Sequence, residues 1–367
     1  MKFTFAFFAF SEACNDLLPS EQCDNACIAD FLSCQSACTT DDCNLQCDSQ
    51  YKACFNNCPC GRSCPKGCED CPSEYCYDPA KQTVVLGQRY DQTELTASYL
   101  VGENSISQVD AFSPGKNTIY STGGVYFKGE FWVFGGYPDG NKISILRGCN
   151  FEEQTSRLVN YFSSELHSAT VFNEEVWLCF GDGFTCEVFD GESNGLDDVK
   201  VSFERSYGAS ITVYDNQLIA VGASNDGGRG KVELRGDQWR EIDDHPIDIG
   251  YTSVISFKTG ILTVGGTTNR VDDNNEDGYD TVKGIYSLID FTWSHVGNLQ
   301  HGNMLGKAAL NGNELLFVPG LKEPWVAQKL IWNGESFDYK ESYETGMEGY
   351  VTFPLLFDAT MTSCSLN

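Results

Sequence analysis

Positive charge and histidine are scarce in this chain of 367 residues. It has 24 Lys and Arg residues against 52 Asp and Glu residues, which gives a formal net charge of −28, and it has four His residues. A chain this acidic is repelled by phosphate backbones and by anionic membrane surfaces. The composition therefore argues against nucleic acid as a partner, whereas cations and basic proteins stay open as partners.

Long apolar segments and N-glycosylation sites are also missing. Beyond residue 10 no apolar stretch approaches the roughly 20 residues that span a bilayer, so no membrane insertion is expected. Lys2 precedes an apolar run over 3–10 that ends in small residues, which is typical of a signal peptide over 1–13. The alternative is a buried first strand. Because no Asn-x-Ser/Thr sequence occurs, a secreted form would carry no N-glycans.

Cysteine, in contrast, is abundant and unevenly placed. Fourteen of the 18 Cys residues lie between Cys14 and Cys76. This density indicates an oxidising compartment, so we expect a secreted, extracellular protein. Zinc binding is the alternative for the run that begins at Cys60, but no His lies near its Cys-x2-Cys and Cys-x3-Cys steps. Disulfides that stabilise a domain too small for a large core are therefore preferred.

Eight of these cysteines form an internal repeat with a period of 20 residues. Steps of four, seven and four residues keep the thiols of each copy on one helical face, which predicts two helices in an antiparallel hairpin. The predicted small N-terminal Cys-rich, disulfide-stapled α-hairpin domain spans 14–78. Thiols that face each other across it give the pairs Cys23–Cys58, Cys27–Cys54, Cys34–Cys47 and Cys38–Cys43. No pairing is assigned to Cys14, Cys60, Cys64, Cys68, Cys71 and Cys76.

The remainder of the chain, 79–367, consists of short β-branched and aromatic runs separated by turn residues, which predicts an all-β domain. One unit recurs in it: a strand, a tight turn, and an apolar strand ending in Gly, followed by a polar loop and a second hairpin. The first hairpins are predicted at 125–136, 169–183, 209–222, 253–266 and 308–320. The second hairpins are predicted at 142–156, 185–201, 231–243, 283–297 and 328–341. Four strands per unit is the number found in one blade of a β-propeller.

The repeats carry a family resemblance. Apolar strands end in Gly135-Gly136 and Gly265-Gly266, and an aromatic residue such as Trp293 follows downstream. This pattern resembles the kelch repeat, although Asp182, Ala223 and Leu321 replace the second Gly in three units. The resemblance implies a mainly β fold, a six-bladed kelch-like β-propeller beside the small N-terminal Cys-rich α-hairpin domain.

Ring closure and two further disulfides follow from this layout. Half-units at 82–95 and 349–364 would join into a sixth blade that closes the ring, and a seventh blade is the alternative if 96–114 hides one. Cys179 and Cys186 flank one loop and would bridge the strands of one blade. Cys149 and Cys364 would then be joined across adjacent blades.

The sequence offers little that resembles an active site. The four His residues are His167, His245, His295 and His301, and no two are closely spaced. A kelch-like copper oxidase of the galactose oxidase type would need such a pair and a following domain, and sialidase-type boxes are absent. We therefore expect a non-catalytic protein. An extracellular kelch-like enzyme, of the copper oxidase or sugar-processing type, is the alternative.

One segment has the beginning of a calcium loop. Asp273, Asn275, Asp277 and Asp280 supply alternating oxygen ligands around Gly278, which predicts a calcium site. Gly284 stands where a calcium loop has a bidentate Glu, so a solvated acidic loop is the alternative. No other cofactor is predicted.

The polar loops that follow the Gly residues should project from one face of the ring. Loops on a rigid scaffold often carry binding function, and aromatic and Arg side chains often anchor interfaces. Tyr137, Phe184, Arg229, Tyr279 and Trp325 are the predicted binding-face residues. The predicted function is a non-catalytic extracellular binding or scaffold protein for protein or glycan ligands. A structural matrix component that self-associates is a further alternative.

Overall fold

The chain divides into two units, Met1–Asp78 and Pro79–Asn367. The computed structural model describes part of the second unit: residues 82–88, 95–102, 106–109, 123–135, 140–159, 168–180, 184–205, 208–223, 227–268, 280–320, 324–345, 354–361 and 364. The predicted signal peptide, the α-hairpin domain and its four disulfides lie outside the described residues.

The described residues form 24 strands and one 3-10 turn, Ala359–Met361. The strands are β1 (Thr83–Gln88), β2 (Leu95–Val101), β3 (Ile106–Gln108), β4 (Gly123–Phe127), β5 (Glu130–Phe134), β6 (Ile143–Arg147), β7 (Asn150–Glu153), β8 (Ser168–Phe172), β9 (Glu175–Cys179), β10 (Cys186–Phe189), β11 (Asn194–Leu196), β12 (Ser210–Tyr214), β13 (Gln217–Val221), β14 (Val232–Arg235), β15 (Trp239–Glu241), β16 (Ser253–Phe257), β17 (Gly260–Val264), β18 (Gly284–Ile289), β19 (Thr292–Asn298), β20 (Lys307–Asn311), β21 (Glu314–Val318), β22 (Val326–Trp332), β23 (Phe337–Glu344) and β24 (Leu355–Asp358). The hairpins predicted in the five repeat units coincide with β4 to β23.

Two-residue turns set the first hairpin of each unit. Asn173 and Glu174, between β8 and β9, have φ angles of 51° and 63°, and Asp215 and Asn216, between β12 and β13, have φ angles of 48° and 54°. Two successive positive φ angles define a turn whose twist matches that of the flanking strands. The register of these hairpins is therefore specified locally, by the turn residues that the sequence analysis used to find them.

The strands form four four-stranded antiparallel sheets and one eight-stranded sheet. The eight-stranded sheet has the order β16-β17-β18-β19-β23-β22-β21-β20, and its two halves meet where Gly297 of β19 pairs in parallel with Phe337 of β23. A Cβ at Gly297 would lie 2.8 Å from Phe337 O, so the two edges approach this closely because Gly297 has no side chain.

The predicted fold class is wrong as stated. Six separate blades were expected, whereas two of the four-stranded units are merged into one sheet. The described residues contain no α-helix either, and the 14–78 segment assigned to the α-hairpin lies outside them. The architecture is a propeller-like arrangement of β-sheets.

The sheets follow one another around a ring. The innermost strands make contact in the order β4, β8, β12, β16, β20 and β24, and β24 contacts β4 again. Apolar side chains fill the space between successive sheets; at the junction of β24 with the β4–β7 sheet, the rings of Phe131 and Phe357 lie 4.5 Å apart. Each sheet is thus buried on both faces by its neighbours.

The two ends of the second unit share one sheet, with the order β24-β1-β2-β3. Leu355 of β24 pairs with Leu86 of β1 in antiparallel register. The sequence analysis expected one hairpin from 82–95 and one from 349–364, but the structure uses one strand from the C-terminal segment and three from the N-terminal segment. The 96–114 segment, which could have hidden another blade, contributes β2 and β3 to this sheet.

Two disulfides lie in the ring. Cys149 is joined to Cys364, across the junction between the β4–β7 sheet and the C-terminal segment, with Cα atoms 4.7 Å apart. Cys179 of β9 is joined to Cys186 of β10, its partner in the strand register. These are the pairings that the sequence layout predicts for the four cysteines of this unit.

Buried polar side chains of the third strands hold the connections between sheets. Glu187 of β10 accepts a hydrogen bond from Val159 N at 2.7 Å, and Glu233 of β14 accepts one from Ser202 N at 2.7 Å. Gln328 of β22 accepts one from the backbone N of His301, at 3.0 Å. In each case the backbone belongs to the segment that enters the same sheet. We call these three side chains the clamps.

The clamp at Glu233 includes a buried ion pair. Arg205 donates from Nε and Nη2 to one Glu233 oxygen, at 3.1 and 2.9 Å, and both side chains are fully buried. Arg205 Nη1 also donates to Gly222 O at 2.7 Å. Burial lowers the pKa of the Arg205 guanidinium, and the Glu233 carboxylate opposes that shift. Each charge is acceptable in the core because the other compensates it.

His245 is another buried polar group. Its Nε2 lies 2.9 Å from Thr263 Oγ1 and its Nδ1 lies 2.9 Å from Ile247 O. The imidazole packs edge-on against Tyr286 and Trp293, with ring centroids 5.0 and 4.6 Å apart. Burial lowers the pKa of His245 to about 4, so the ring is neutral in the folded protein at neutral pH.

Replacing Arg205 with Met should destabilise the protein by about 3–5 kcal/mol, because Glu233 would be left as an unpaired buried charge. The double variant Arg205→Met with Glu233→Leu should lose less than the single variant. Urea unfolding of each variant measures the difference. Arg147→Met, which removes an exposed ion pair with Glu130, is the control and should change the midpoint little. Equal losses for Arg205→Met and Arg147→Met would contradict this account.

The buried imidazole makes stability depend on pH. An unfolded His titrates near pH 6.5 and His245 near 4, so its contribution is complete above about pH 6.5 and is lost as the pH falls toward 4. Between pH 7.5 and 5 the wild type should lose about 2 kcal/mol more than a His245→Gln variant. Urea unfolding at the two pH values checks this. His295→Gln, at an exposed site, is the control and should lose as much stability between the two pH values as the wild type; an equal loss in His245→Gln would contradict the assignment.

Candidate functional site

The innermost strands surround a central channel with a cavity of about 280 Å³. All six innermost strands, or the residue next to them, contribute to its wall. Its polar lining consists of five hydroxyl side chains and one ammonium group: Thr170, Ser210, Thr212, Ser253, Ser256 and Lys307. The channel is therefore the concave, polar feature around which the sheets are arranged.

Lys307 occupies a position that is Ser in the two preceding repeat units. It pairs with Val318, the last residue of β21, just as Ser253 pairs with Val264 and Ser210 pairs with Val221. All three begin an innermost strand. The lysine is thus a substitution at one repeated position of the ring.

The serines at this position join successive innermost strands. Ser210 Oγ donates to Thr252 O, just before β16, at 2.8 Å, and Ser253 Oγ accepts from Ala308 N of β20 at 2.9 Å. Hydrogen bonds as well as apolar packing therefore join these innermost strands. At Lys307 the side chain is too long for the same short bridge.

The Lys307 ammonium makes no hydrogen bond or ion pair with the described part of the chain. Its side chain is half-buried at the channel wall. Burial lowers its pKa to about 8, because the charged form loses hydration. The residue is a cation held in a hydroxyl-lined cavity.

Backbone with positive φ angles borders the channel next to Lys307. Gly208, Tyr251 and Leu305 each precede an innermost strand by two residues, and all three have positive φ angles, of 71°, 56° and 64°. Tyr251 N donates to Gly208 O at 2.9 Å, and Leu305 N donates to Tyr251 O at 3.3 Å. We call these three residues the collar. Positive φ is costly for bulky residues, and such strain is often found at functional sites.

The collar and Lys307 lie at the end of the ring where the innermost strands begin, which we call the loop end. In an antiparallel hairpin the second strand finishes where the first strand starts. The segments that follow β5, β9, β13, β17 and β21 therefore leave from the loop end. These are the loops in which the sequence analysis placed the binding face.

The described members of the predicted binding face lie at the bases of these loops. Phe184 and Trp325 are half-buried and pack against the apolar clusters between sheets. Arg229 is buried and donates from Nη1 to Thr268 O, which joins the segment after β13 to the one after β17. Tyr137 and Tyr279 lie outside the described residues. The contribution of these five side chains to ligand binding stays a prediction.

The His residues are dispersed. His245 is in the core, and His295 is exposed, with Nε2 3.1 Å from Asn298 Oδ1. His301 is held through its backbone by Gln328, and His167 lies outside the described residues. Within the described ranges no group of three or more His, Cys, Asp and Glu side chains could hold a metal ion.

The predicted calcium ligands lie almost wholly outside the described residues. Asp273, Asn275 and Asp277 belong to 269–279, which the structure does not describe, and Asp280 follows it as an exposed residue. Asp280 O accepts hydrogen bonds from Thr268 N and Thr267 Oγ1, both at 3.2 Å. The two ends of this segment are thus held side by side.

Sequence reasoning missed the channel lysine, the clamps and the collar. The sequence did carry a signal for the channel lysine, since the first residue of the innermost strand is Ser210, Ser253 and Lys307 in successive units.

Apart from one 3-10 turn, the described secondary structure consists of strands. No helix long and apolar enough to cross a membrane therefore occurs in that part of the chain.

Comparison with known proteins supports the fold. The sequence matches no family model and no curated protein. Among 277 matching solved chains, the structure of YjhT has a TM-score of 0.54 to this chain at 11% sequence identity, and the match covers 72% of this chain and 99% of that one. At this identity the likeness concerns the fold alone. The second unit of the chain therefore has a propeller-like arrangement of β-sheets similar to that of YjhT.

Proposed function

We propose that this chain is a non-catalytic extracellular binding protein that uses the loop end of a kelch-like ring as its binding surface. The observation that supports this proposal is the direction of the segments after β5, β9, β13, β17 and β21, which all leave from one end of the ring. Such segments on a rigid scaffold form one composite surface.

The scaffold below this surface is rigid because polar contacts link its parts. Arg229 joins the bases of two successive loop segments through Thr268. The clamps hold the connections that enter three sheets, and the Arg205–Glu233 pair fixes one of them in the core. A surface fixed in this way loses little conformational entropy when it binds, which favours affinity.

Charge selects the class of partner. The chain has a net charge of −28, and the segment that follows β17 in the sequence contains Asp272, Asp273, Glu276 and Asp277. A basic extracellular protein would be attracted to this surface, whereas a sulfated or carboxylated glycan would be repelled. A basic protein is therefore the favoured macromolecular partner, ahead of a glycan.

The disulfides of the chain support the proposed secretion. The Cys149–Cys364 and Cys179–Cys186 disulfides are compatible with an oxidising compartment. The signal-peptide pattern over 1–13 and the density of cysteine in 14–78 support the same location. Self-association as a matrix component would use the same surface with a second copy as the partner.

We expect loss of loop-end charge to weaken partner binding selectively. In the full chain, Asp272→Asn, Asp273→Asn, Glu276→Gln and Asp277→Asn are combined and compared with wild type against purified basic extracellular proteins and immobilised glycans. At least one basic protein should bind, and its affinity should fall about tenfold or more, which is 1.4 kcal/mol or more.

The control makes the same change of charge at the opposite end of the ring, in exposed hairpin turns: Glu174→Gln, Asp215→Asn, Asp290→Asn and Glu335→Gln. This variant should bind like the wild type. Equal weakening by both variants would show unspecific attraction to an acidic protein, and the absence of any binding would contradict the proposal.

Calcium binding at Asp273, Asn275, Asp277 and Asp280 is part of the proposal. The hydrogen bonds of Asp280 O close the ends of the segment into a loop, and oxygen ligands are those that Ca²⁺ prefers. Adding Ca²⁺ after chelation should raise the melting temperature of the wild type, because an ion that binds the folded state stabilises it. The Asp273→Asn, Asp277→Asn variant should lose this shift, whereas Glu174→Gln, Asp215→Asn should keep it; an unchanged shift in both would exclude this site.

A further inference from the structure

The central channel combines four features in one place. It has a cavity of about 280 Å³, five hydroxyl side chains on its wall, one ammonium group at Lys307, and strained backbone in the collar beside that ammonium. The collar and the cavity adjoin, because Lys307 lines both the main cavity and a narrow extension bounded by Gly208, Tyr251 and Leu305. None of these features is needed to present loops at the rim.

We propose that the channel is a binding site for a small hydroxylated carboxylate, with Lys307 as its cationic contact and the channel hydroxyls as its hydrogen-bonding partners. This inference goes beyond the loop-end function and does not depend on it. Its ligand lies within the ring, whereas a macromolecular partner would lie on the rim.

The ammonium determines the charge of the ligand. Lys307 carries the only ionisable side chain among the described residues that line the cavity, and no described group pairs with it. An unpaired ammonium that has lost part of its hydration is unfavourable, and an anion that enters the cavity supplies the missing interaction. The surface carboxylates of the protein act against anions at long range, but physiological salt screens exposed charges beyond about 8 Å.

The hydroxyls determine the polarity of the ligand. A hydroxyl has one donor and two acceptor sites. Ser253 Oγ accepts from Ala308 N and so keeps its proton for a ligand oxygen, and Ala308 is the neighbour of Lys307. Ser210 Oγ donates to Thr252 O and so keeps acceptor sites for a ligand hydroxyl. Besides the Lys307 ammonium, the wall therefore offers a hydroxyl donor at Ser253 and hydroxyl acceptor sites at Ser210, which suits a carboxylate on a hydroxylated body.

The cavity determines the size of the ligand. Pockets for drug-sized molecules have volumes of roughly 300–1,000 Å³, so a cavity of about 280 Å³ suits a ligand of monosaccharide size or smaller. The strained collar supports a functional site, since residues such as Tyr251 and Leu305 could have been glycine if only the turn mattered.

The test uses titration calorimetry on the full secreted chain with D-glucuronate and with D-glucose, which has the same ring but no carboxylate. Glucuronate should bind with one-to-one stoichiometry, and glucose should bind about tenfold more weakly or not at all. Lys307→Met should lower the affinity for glucuronate by about tenfold or more. Lys200→Met, which removes an exposed lysine outside the channel, should have no effect.

Further measurements check the same assignment. Ser253→Ala should weaken glucuronate binding without removing it, and the melting temperatures of all variants show whether they are folded. The affinity for glucuronate should fall as the pH rises from 7 to 9, because Lys307 loses its proton with a pKa of about 8. Among the described residues that border the channel, Tyr251 in the collar is the other ionisable one. Neither Lys307→Met nor Ser253→Ala should change binding of a basic protein at the loop end.

Three results would each overturn the proposal. The first is equal binding of glucuronate and glucose, and the second is unchanged glucuronate binding in a folded Lys307→Met variant. The third is a lack of binding by glucuronate, by lactate and by inorganic phosphate at about 10 mM, a concentration that nearly saturates a site with a Kd of about 1 mM.

Discussion

The pairing of β24 with β1 is the constraint on which the rest of the structure depends. A sheet in this arrangement cannot bury its apolar faces alone; it needs a neighbour on each side. When Leu355 pairs with Leu86, the C-terminal strand completes the sheet formed by the N-terminal strands, and every innermost strand gains two neighbours. The Cys149–Cys364 disulfide lies beside the same junction. It keeps the C-terminal segment close to the β4–β7 segment in the unfolded chain.

Closure also explains why charged residues can be buried between the sheets. In an open stack, the segments that link successive sheets could shift along the sheet edges. Here Glu187, Glu233 and Gln328 each fix one such segment through a backbone N–H. A buried charge is tolerated only if its partners are in place, so the Arg205–Glu233 pair penalises any arrangement that separates the two side chains.

The sequence predicted the local parts of the fold well and their assembly less well. Hairpins were found because turn pairs such as Asp215-Asn216 and alternating apolar residues are local signals. The merging of two units at Gly297 could not be found, because a Gly at a strand end looks like a turn residue until Phe337 is brought beside it. Strand β3 is only three residues long, too short for a periodic signal.

The buried polar side chains and the channel lysine escaped the sequence analysis for a different reason. Composition treats Glu187, Glu233 and Arg205 as surface residues, because charged side chains are seldom buried unless paired, and pairing is a tertiary property. Lys307 had a visible signal, a Lys where successive repeats have Ser, but its meaning depends on a channel that exists only once the ring is closed.

The channel and the rim of this ring make opposite electrostatic demands. A net charge of −28 favours cationic partners at the surface, yet the one ionisable group on the described channel wall is a cation. The two can coexist because salt screens the exposed carboxylates beyond about 8 Å, whereas it screens the half-buried ammonium less. If the channel wall had only a structural role, a Ser at position 307 would be sufficient. At the equivalent position Ser253 Oγ accepts a hydrogen bond from the next innermost strand. A lysine gives up that bridge and costs hydration, so its presence is accounted for by an anionic group that enters the channel.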